Sequence, residues 1–241
     1  MLNNHMILIK KTCLILLLLG FVSVSHSATL SGIQKGTTTL TAGVSSVTQA
    51  ITTITLSQSF LVFNIRVNDA DPGDYMVGGF VSATNQLTFN RNNAGGSPIV
   101  IIEWQVFSFS SGVNVQRGTV TNLAAAGANV TITAVNLSRS FATVNVRKDG
   151  AQYGSDDGVT ADLTTTTNLF LDREAGGADP QFVYWQVIEW TGSSVQKITA
   201  TLNNGVDSVS TTLGTSVNKS RTMIVGSHRQ SGELNDDDIA S

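Results

Sequence analysis

The chain has 241 residues, of which 13% are charged, and its formal net charge is −3. Soluble domains are typically about 25% charged, so serine, threonine, asparagine and glycine must supply most of the polarity here. A weakly acidic chain without clustered lysine and arginine is poorly suited to neutralising phosphates. The composition therefore argues against a nucleic-acid partner and favours an extracellular β protein.

Residues 1–27 are typical of a secretory signal. Lys10 and Lys11 precede an apolar stretch at 13–24, and small residues stand at the −3 and −1 positions before Ala28. An apolar stretch of this length is too short to span a bilayer, which needs about 20 residues. We expect cleavage, secretion to the exterior or the cell surface, and no membrane span afterwards. An uncleaved anchor is the alternative.

Cleavage would remove the only cysteine and two of the three histidines, which narrows the catalytic chemistry available. The only cysteine, Cys13, would leave, His228 would be the one remaining histidine, and 12 basic residues against 17 acidic would give a net charge of −5. One histidine cannot serve a Ser-His-Asp relay in each of several repeats, and no Cys or His cluster could hold zinc. Glu103, a candidate catalytic acid, is replaced by Tyr184 at its repeat position. The sequence predicts a protein that is not an enzyme and has no cofactor.

The chain repeats itself at a fixed spacing. Trp104-Gln105-Val106 returns 81 positions later at 185–187, and the segment 56–60 returns at 137–141. A third motif, Ile33-Gln34-Lys35-Gly36, occurs again at 115–118 and at 195–198. The period exceeds the roughly 20–50 residues of solenoid repeats and is long enough for a small domain. We expect a tandem array.

The threefold motif sets the phase of this array. It predicts a signal peptide at 1–27, repeats at 28–111 and 112–192, and an incomplete third repeat at 193–241. Within the third repeat, residues 217–220 align with 137–140, and a third Trp-Gln-Val motif would fall near position 266 by the repeat spacing. Two explanations are open: the sequence is cut from a longer one, or a strand from another molecule completes the last repeat and drives assembly.

Apolar residues alternate with a period of two, which indicates β-strands. Six strands are predicted in the first repeat, with turn signals between them, at 33–40, 47–56, 60–68, 75–83, 86–91 and 99–109. Short connections favour antiparallel pairing, and six strands with one apolar face each favour two packed sheets. The predicted fold class is all-β: tandem antiparallel β-sandwich repeats of about 81 residues, two complete and a third truncated.

Two pairs of aromatic residues differ in their expected roles. Trp104 and Trp185 share a strand face with aliphatic residues, so we expect them in the structural core, where burial of a large ring stabilises a small domain. Phe109 and Trp190 lie on the opposite face of the same strands. They could stack on a sugar or pack against the neighbouring repeat, and the second interpretation is favoured.

A polar set recurs away from the aliphatic face. Arginine beside amides can hydrogen-bond a sugar or a peptide, although the same residues could form a polar ladder that keeps an outer face soluble. The candidate ligand-binding face comprises Asn64, Arg66, Gln105, Asn145, Arg147 and Gln186.

An acidic loop follows the third strand of each repeat. Its carboxylates are Asp69, Asp71 and Asp74 in the first repeat, with counterparts at 149, 156 and 157 and at 233 and 236–238. Clustered carboxylates can bind calcium. Their spacing differs between repeats and matches no calcium-binding register, so a solvated loop is the favoured interpretation.

These features together predict a secreted structural or adhesive tandem-repeat protein of a cell surface or matrix. Its expected partners are other copies of itself or neighbouring surface proteins. The alternative is a carbohydrate-binding, lectin-like β-sandwich protein with glycans as ligands.

Overall fold

A computed structural model describes residues 27–67, 76–92, 98–123, 127–148, 158–173, 181–203 and 206–229. Twelve β-strands in these ranges form four three-stranded sheets, and every strand pairing is antiparallel. The all-β class and the antiparallel pairing predicted from the sequence are therefore confirmed. Among the described residues, no helix has the length and apolar character needed to cross a membrane.

Residues 29–111 form two sheets, called here the first sheet pair. Strands β1, β6 and β3 pair in that order, and β2, β5 and β4 form the other sheet. In both sheets the middle strand comes last in the sequence. The strands are β1 (Thr29–Leu40), β2 (Ser46–Ala50), β3 (Ser59–Val67), β4 (Gly78–Ala83), β5 (Gln86–Asn90) and β6 (Val100–Ser111).

Residues 113–190 form the second sheet pair with the same strand order. β12 lies between β7 and β9, and β11 lies between β8 and β10. Gly112, which has a φ of 76°, is the single residue between β6 and β7. The strands are β7 (Val113–Thr121), β8 (Ala128–Thr131), β9 (Ser140–Lys148), β10 (Val159–Thr165), β11 (Asn168–Arg173) and β12 (Gln181–Trp190).

One predicted strand is wrong in extent. The sequence predicted a strand over 47–56, but β2 ends at Ala50. Beyond it, the amides of Ile51 and Ile54 donate to the carbonyls of Asn85 and Thr84, at 2.9 and 2.8 Å. These bonds tie residues 51–54 to the turn after β4. The alternation of apolar residues ends at Ile51, because Thr52 and Thr53 follow one another.

Each sheet pair encloses its own apolar core, which gives a sandwich-like all-β architecture. The first core joins β6 residues Ile102 and Trp104 to Leu87 and Phe89 of β5. The second core is built around Leu169, Leu171, Val183, Trp185 and Val187. The two tryptophans are only 6% and 8% exposed.

Glycine makes room for both tryptophans. A Cβ on Gly36 would lie 2.5 Å from Cζ2 of Trp104, and a Cβ on Gly118 would lie 2.6 Å from Cζ2 of Trp185. Each indole ring therefore lies directly on the backbone of the neighbouring strand. Any larger residue at either glycine would displace the ring or the strand.

Candidate functional site at the junctions

The polar residues of the candidate ligand-binding face have different surroundings in the two sheet pairs. In the second sheet pair, Asn145 and Gln186 lie against the first sheet pair and hydrogen-bond its backbone. In the first sheet pair, the matching Asn64, Arg66 and Gln105 are exposed. The candidate face is thus open to solvent at one of its two predicted positions and is occupied by the protein itself at the other.

Gln186 binds the edge of β3. The amide N–H of Leu61 donates to Oε1 of Gln186 at 3.0 Å, and Nε2 of Gln186 donates to the Leu61 carbonyl at 2.9 Å. A side-chain amide has an acceptor and donors side by side, so it can pair with one residue of a strand edge as another strand would. β3 is an outer strand of its sheet. Gln186 therefore satisfies backbone groups that would otherwise be open to further strand pairing.

Asn145 does the same at the edge of β4. The amide of Gly79 donates to Oδ1 of Asn145 at 2.8 Å, and Nδ2 of Asn145 donates to the Gly79 carbonyl at 3.1 Å. β4 is an outer strand of the other sheet in the first pair. One face of the second sheet pair thus binds both sheets of the first.

Tyr184 adds an aromatic contact beside these amides. Its ring stacks on Phe80, with centroids 4.7 Å apart and planes 12° apart, and its hydroxyl accepts a 2.9 Å hydrogen bond from Nδ2 of Asn90. Tyr184 approaches Gly78 so closely that no Cβ would fit there. Glu103 occupies the matching position of β6, as the sequence repeat shows, so this contact is specific to the second sheet pair.

Arg117 adds to the polar part of the junction, whereas the cation–π contact of Arg147 lies within the second sheet pair. Nη2 of Arg117 donates to the carbonyls of Leu56 and Ser59, at 2.7 and 2.5 Å. Burial lowers the pKa of Arg117, but a guanidinium stays protonated throughout the physiological range. Arg147, from the candidate ligand-binding face, lies 3.8 Å above the ring of Phe182 in a cation–π contact.

An aromatic cluster closes the far end of the junction. Phe60 and Phe109 from the first sheet pair meet Phe141, Ile188 and Trp190 from the second. The rings of Phe109 and Trp190 lie edge to face with centroids 5.0 Å apart, and Phe109 is 4% exposed. Their position agrees with the favoured interpretation, packing between neighbouring repeats, and leaves no open ring face on Phe109 for a sugar.

A second junction joins β10 to the segment at residues 193–229, here called the C-terminal segment. By strand register, Ala161, Asp162 and Asp172 occupy the positions of Gly79, Phe80 and Asn90. The amide of Ala161 donates to Oγ of Ser227 at 3.2 Å. Ion pairs join Lys197 to Asp162 at 2.5 Å and Arg229 to Asp172 at 3.1 Å.

The described residues of the C-terminal segment contain no assigned β-strand, but they repeat a side-chain to backbone hydrogen-bond pattern found in both sheet pairs. Gln196 makes two hydrogen bonds to the backbone of Thr215. Its Nε2 donates to the Thr215 carbonyl at 2.8 Å, and the Thr215 amide donates to its Oε1 at 2.7 Å. Gln34 makes the same pair of hydrogen bonds to the backbone of Thr52, and Gln116 makes them to the backbone of Thr133. Sequence reasoning used this glutamine motif only to set the repeat phase and missed its structural role. Its signal was a threonine 17–19 residues downstream in all three places.

The alignment of residues 217–220 with 137–140 is wrong by two positions. Asn136 caps the short 3₁₀-helix Leu137–Arg139 by accepting from the amide of Ser138. Asn218 caps the 3₁₀-helix Lys219–Arg221 by accepting from the amide of Ser220. The matching residues are therefore 82 apart. Under this alignment Ser227 corresponds to Asn145, which explains why both bind the matching backbone amide.

A cavity of about 150 Å³ lies at the first junction. Residues from both sheet pairs line it, among them Gly79, Phe80, Arg117 and Asn145. Pockets for small organic ligands usually measure about 300–1,000 Å³. This one has room for a few water molecules.

The candidate calcium residues Asp69, Asp71 and Asp74, with their counterparts, lie outside the described residues. Within the residues that the structure describes, no group of three or more histidine, cysteine, aspartate or glutamate side chains is placed to hold a metal ion. Apart from Ser27, the predicted signal sequence also lies outside them.

Comparison with protein-family models, with curated proteins and with solved structures finds no match to this chain.

Proposed function

We propose that the protein is a secreted structural or adhesive component of a cell surface or matrix, built from tandem β-sandwich repeats of about 81 residues. The observation that carries this proposal is that two side-chain amides at the first junction each make a pair of hydrogen bonds to the backbone of the preceding sheet pair. Gln186 and Asn145 bind the outer strands of the preceding sheet pair through both donor and acceptor.

Such a junction supports a load-bearing or spacing role. Consecutive sheet pairs are joined by one residue, Gly112, and are held by stacked rings, a buried aromatic cluster and hydrogen bonds to backbone. A junction of this kind restrains relative motion of the two pairs, unlike a flexible linker. Successive copies would then build a stiff rod that projects from a surface.

The same observation weakens the lectin-like alternative for the second sheet pair. There the amides that would contact a sugar already bind the protein's own backbone. In the first sheet pair Asn64, Arg66 and Gln105 are exposed, and a glycan could reach them. The experiment must therefore distinguish a structural role, which depends on the junction, from glycan binding at the exposed residues of the first sheet pair.

Deletion of the gene in the organism of origin, followed by complementation, tests the proposal. Wild-type protein should restore attachment of cells to each other or to a surface. Gln186→Ala with Asn145→Ala should restore it poorly, because the junction is loosened. Arg66→Ala with Gln105→Ala should restore it fully.

Two results would contradict the structural role. One is a deletion strain that attaches and keeps its envelope or matrix like wild type. The other is loss of attachment only in the Arg66→Ala and Gln105→Ala variant, together with glycan-array binding by the wild-type protein, which would favour the lectin-like function. Mass spectrometry of exported protein should give Ala28 as the first residue.

A further inference from the structure

Three separate parts of the chain meet where the two sheet pairs are joined. Ala28 precedes β1, Gly112 lies between β6 and β7, and Thr191 follows β12. The strand pairings β1–β6 and β7–β12 continue to within one residue of Gly112 on both sides. The start of the first sheet pair therefore lies beside the end of the second.

Two backbone hydrogen bonds join these three residues. The amide of Thr191 donates to the carbonyl of Gly112 at 2.7 Å, and the amide of Ala28 donates to the carbonyl of Thr191 at 3.0 Å. Thr191 is thus held through both of its backbone groups. One bond comes from the link between the sheet pairs, and the other comes from the residue that precedes β1.

Gly112 leaves space for Ala28 at this point. A Cβ on Gly112 would lie 2.5 Å from Cα of Ala28 and 2.8 Å from its nitrogen, which is closer than real Cβ contacts allow. The φ of 76° at Gly112 also favours glycine. Ala28 itself packs against the aromatic cluster that closes this end of the first junction. It therefore contacts both sheet pairs.

The position of Thr191 decides where the C-terminal segment begins. Ser193 follows two residues later, and its amide and hydroxyl both donate to the last carbonyl of β12, at 3.1 and 2.8 Å. The amide of Val195 then donates to the carbonyl of Ser138 at 2.8 Å. A short series of hydrogen bonds thus leads from Ala28 to a contact between the C-terminal segment and the second sheet pair.

We propose that Ala28 is a latch: its backbone N–H closes the first junction and, through Thr191, fixes the start of the C-terminal segment. A chain that lacks this N–H keeps both apolar cores but holds the C-terminal segment less firmly. The latch does not depend on what the protein attaches to, so it goes beyond the proposed function.

Cleavage at the predicted position leaves the latch intact. Cleavage between Ser27 and Ala28 converts the amide of Ala28 into an α-ammonium group, whose N–H groups can still donate to the Thr191 carbonyl. Cleavage one residue later removes the latch. The position of the cleaved bond therefore matters for the junction as well as for export.

Four chains test the latch. The chains 28–241 and 29–241 differ only in the presence of Ala28. The chain 27–241 is compared with its Ala28→Pro variant, which keeps a residue at position 28 but has no N–H to donate. Hydrogen exchange of individual amides is measured in all four.

Loss of the latch should accelerate exchange at two amides. In the chain 29–241 and in the Ala28→Pro variant, the amides of Thr191 and Val195 should exchange about fivefold faster than in the matched chains, as expected when one net hydrogen bond is lost. Exchange of the Val183 amide, in the middle of β12, should not change.

Two outcomes would overturn the latch. One is unchanged exchange at Thr191 and Val195 in both altered chains. The other is equal acceleration at Val183, because it would indicate unfolding of the whole second sheet pair in place of a local opening. The measurement does not use the attachment assay, so the latch and the proposed function can fail independently.

Discussion

At each of the two junctions, the same backbone position of an outer strand hydrogen-bonds a side chain of the following segment. The residues around this hydrogen bond are aromatic at the first junction and charged at the second. At the first, the amide of Gly79 binds Asn145, with Tyr184 stacked on Phe80 alongside. At the second, the matching amide of Ala161 binds Ser227, with ion pairs at Asp162 and Asp172. Aromatic burial thus dominates the first junction and charge dominates the second.

This difference favours one order of the sheet pairs along the chain. Glu103 in the first sheet pair occupies the place of Tyr184. If that face docked on the edge of the second sheet pair, Glu103 would approach Asp162 and Asp172, and like charges oppose such contacts. The C-terminal segment supplies Lys197 and Arg229 instead. The chain therefore combines attraction at the correct junction with repulsion at a wrong one.

The largest effect should come from the core on which both junctions depend. Trp185→Ala should lower the free energy of unfolding by about 3–5 kcal/mol, because a buried ring is replaced by a cavity. Urea unfolding followed by circular dichroism measures it. Hydrogen exchange in the C-terminal segment should also accelerate, since β10 belongs to the same sheet pair.

Trp104→Ala is the matched control. It should destabilise the first sheet pair by a similar amount and leave exchange in the C-terminal segment near its wild-type rate. Unfolding of Trp185→Ala at the wild-type urea concentration would show that this ring is not a core residue.

A smaller loss of stability is expected when the side-chain amide of Gln186, which binds the Leu61 backbone, is removed. Gln186→Ala leaves the partly buried N–H and carbonyl of Leu61 without their partner, which should cost about 1–3 kcal/mol of stability. Exchange of the Leu61 amide should accelerate. Gln105→Ala removes the exposed counterpart and should change stability by less than about 0.5 kcal/mol. Equal effects of the two substitutions would contradict the difference between the faces.

At Tyr184, the contribution of ring stacking can be measured separately from that of the hydroxyl hydrogen bond. Tyr184→Phe keeps the ring that stacks on Phe80 and removes only the hydroxyl that bonds Asn90. We expect a loss of about 1 kcal/mol, the usual net contribution of a hydrogen bond. Calorimetric unfolding measures it, and a loss as large as that of Tyr184→Ala would mean that stacking contributes little.

Sequence alone predicted the parts of this molecule that depend on periodicity. Alternating polarity predicted the strands, and it put Trp104 and Trp185 on the faces that line the two cores. The prediction overextended the second strand. The alternation ends at Ile51, because Thr52 and Thr53 are both exposed, and the amides of Ile51 and Ile54 bond a turn in place of a neighbouring strand.

The role of the polar set could not be predicted, for a related reason. Asn145 and Gln186 have the same residue types as a sugar-binding face, and their partners are backbone groups about 66 and 125 positions away. Backbone groups look alike in every sequence, so no motif marks them. The one sequence signal was the substitution of Glu103 by Tyr184, which separates an exposed face from a covered one.

The smallest effect should come from salt at the second junction, where Lys197 is 61% exposed. Exposed ion pairs contribute about 0–1 kcal/mol, and they are screened as the Debye length falls from about 30 Å at 0.01 M to about 3 Å at 1 M. Exchange at Ala161 and Val195 should therefore accelerate with salt, by at most about fivefold. Exchange at Leu61 and Gly79 should not change. Asp162→Asn with Asp172→Asn should abolish the salt response, whereas its persistence in that variant would show that other groups hold the C-terminal segment in place.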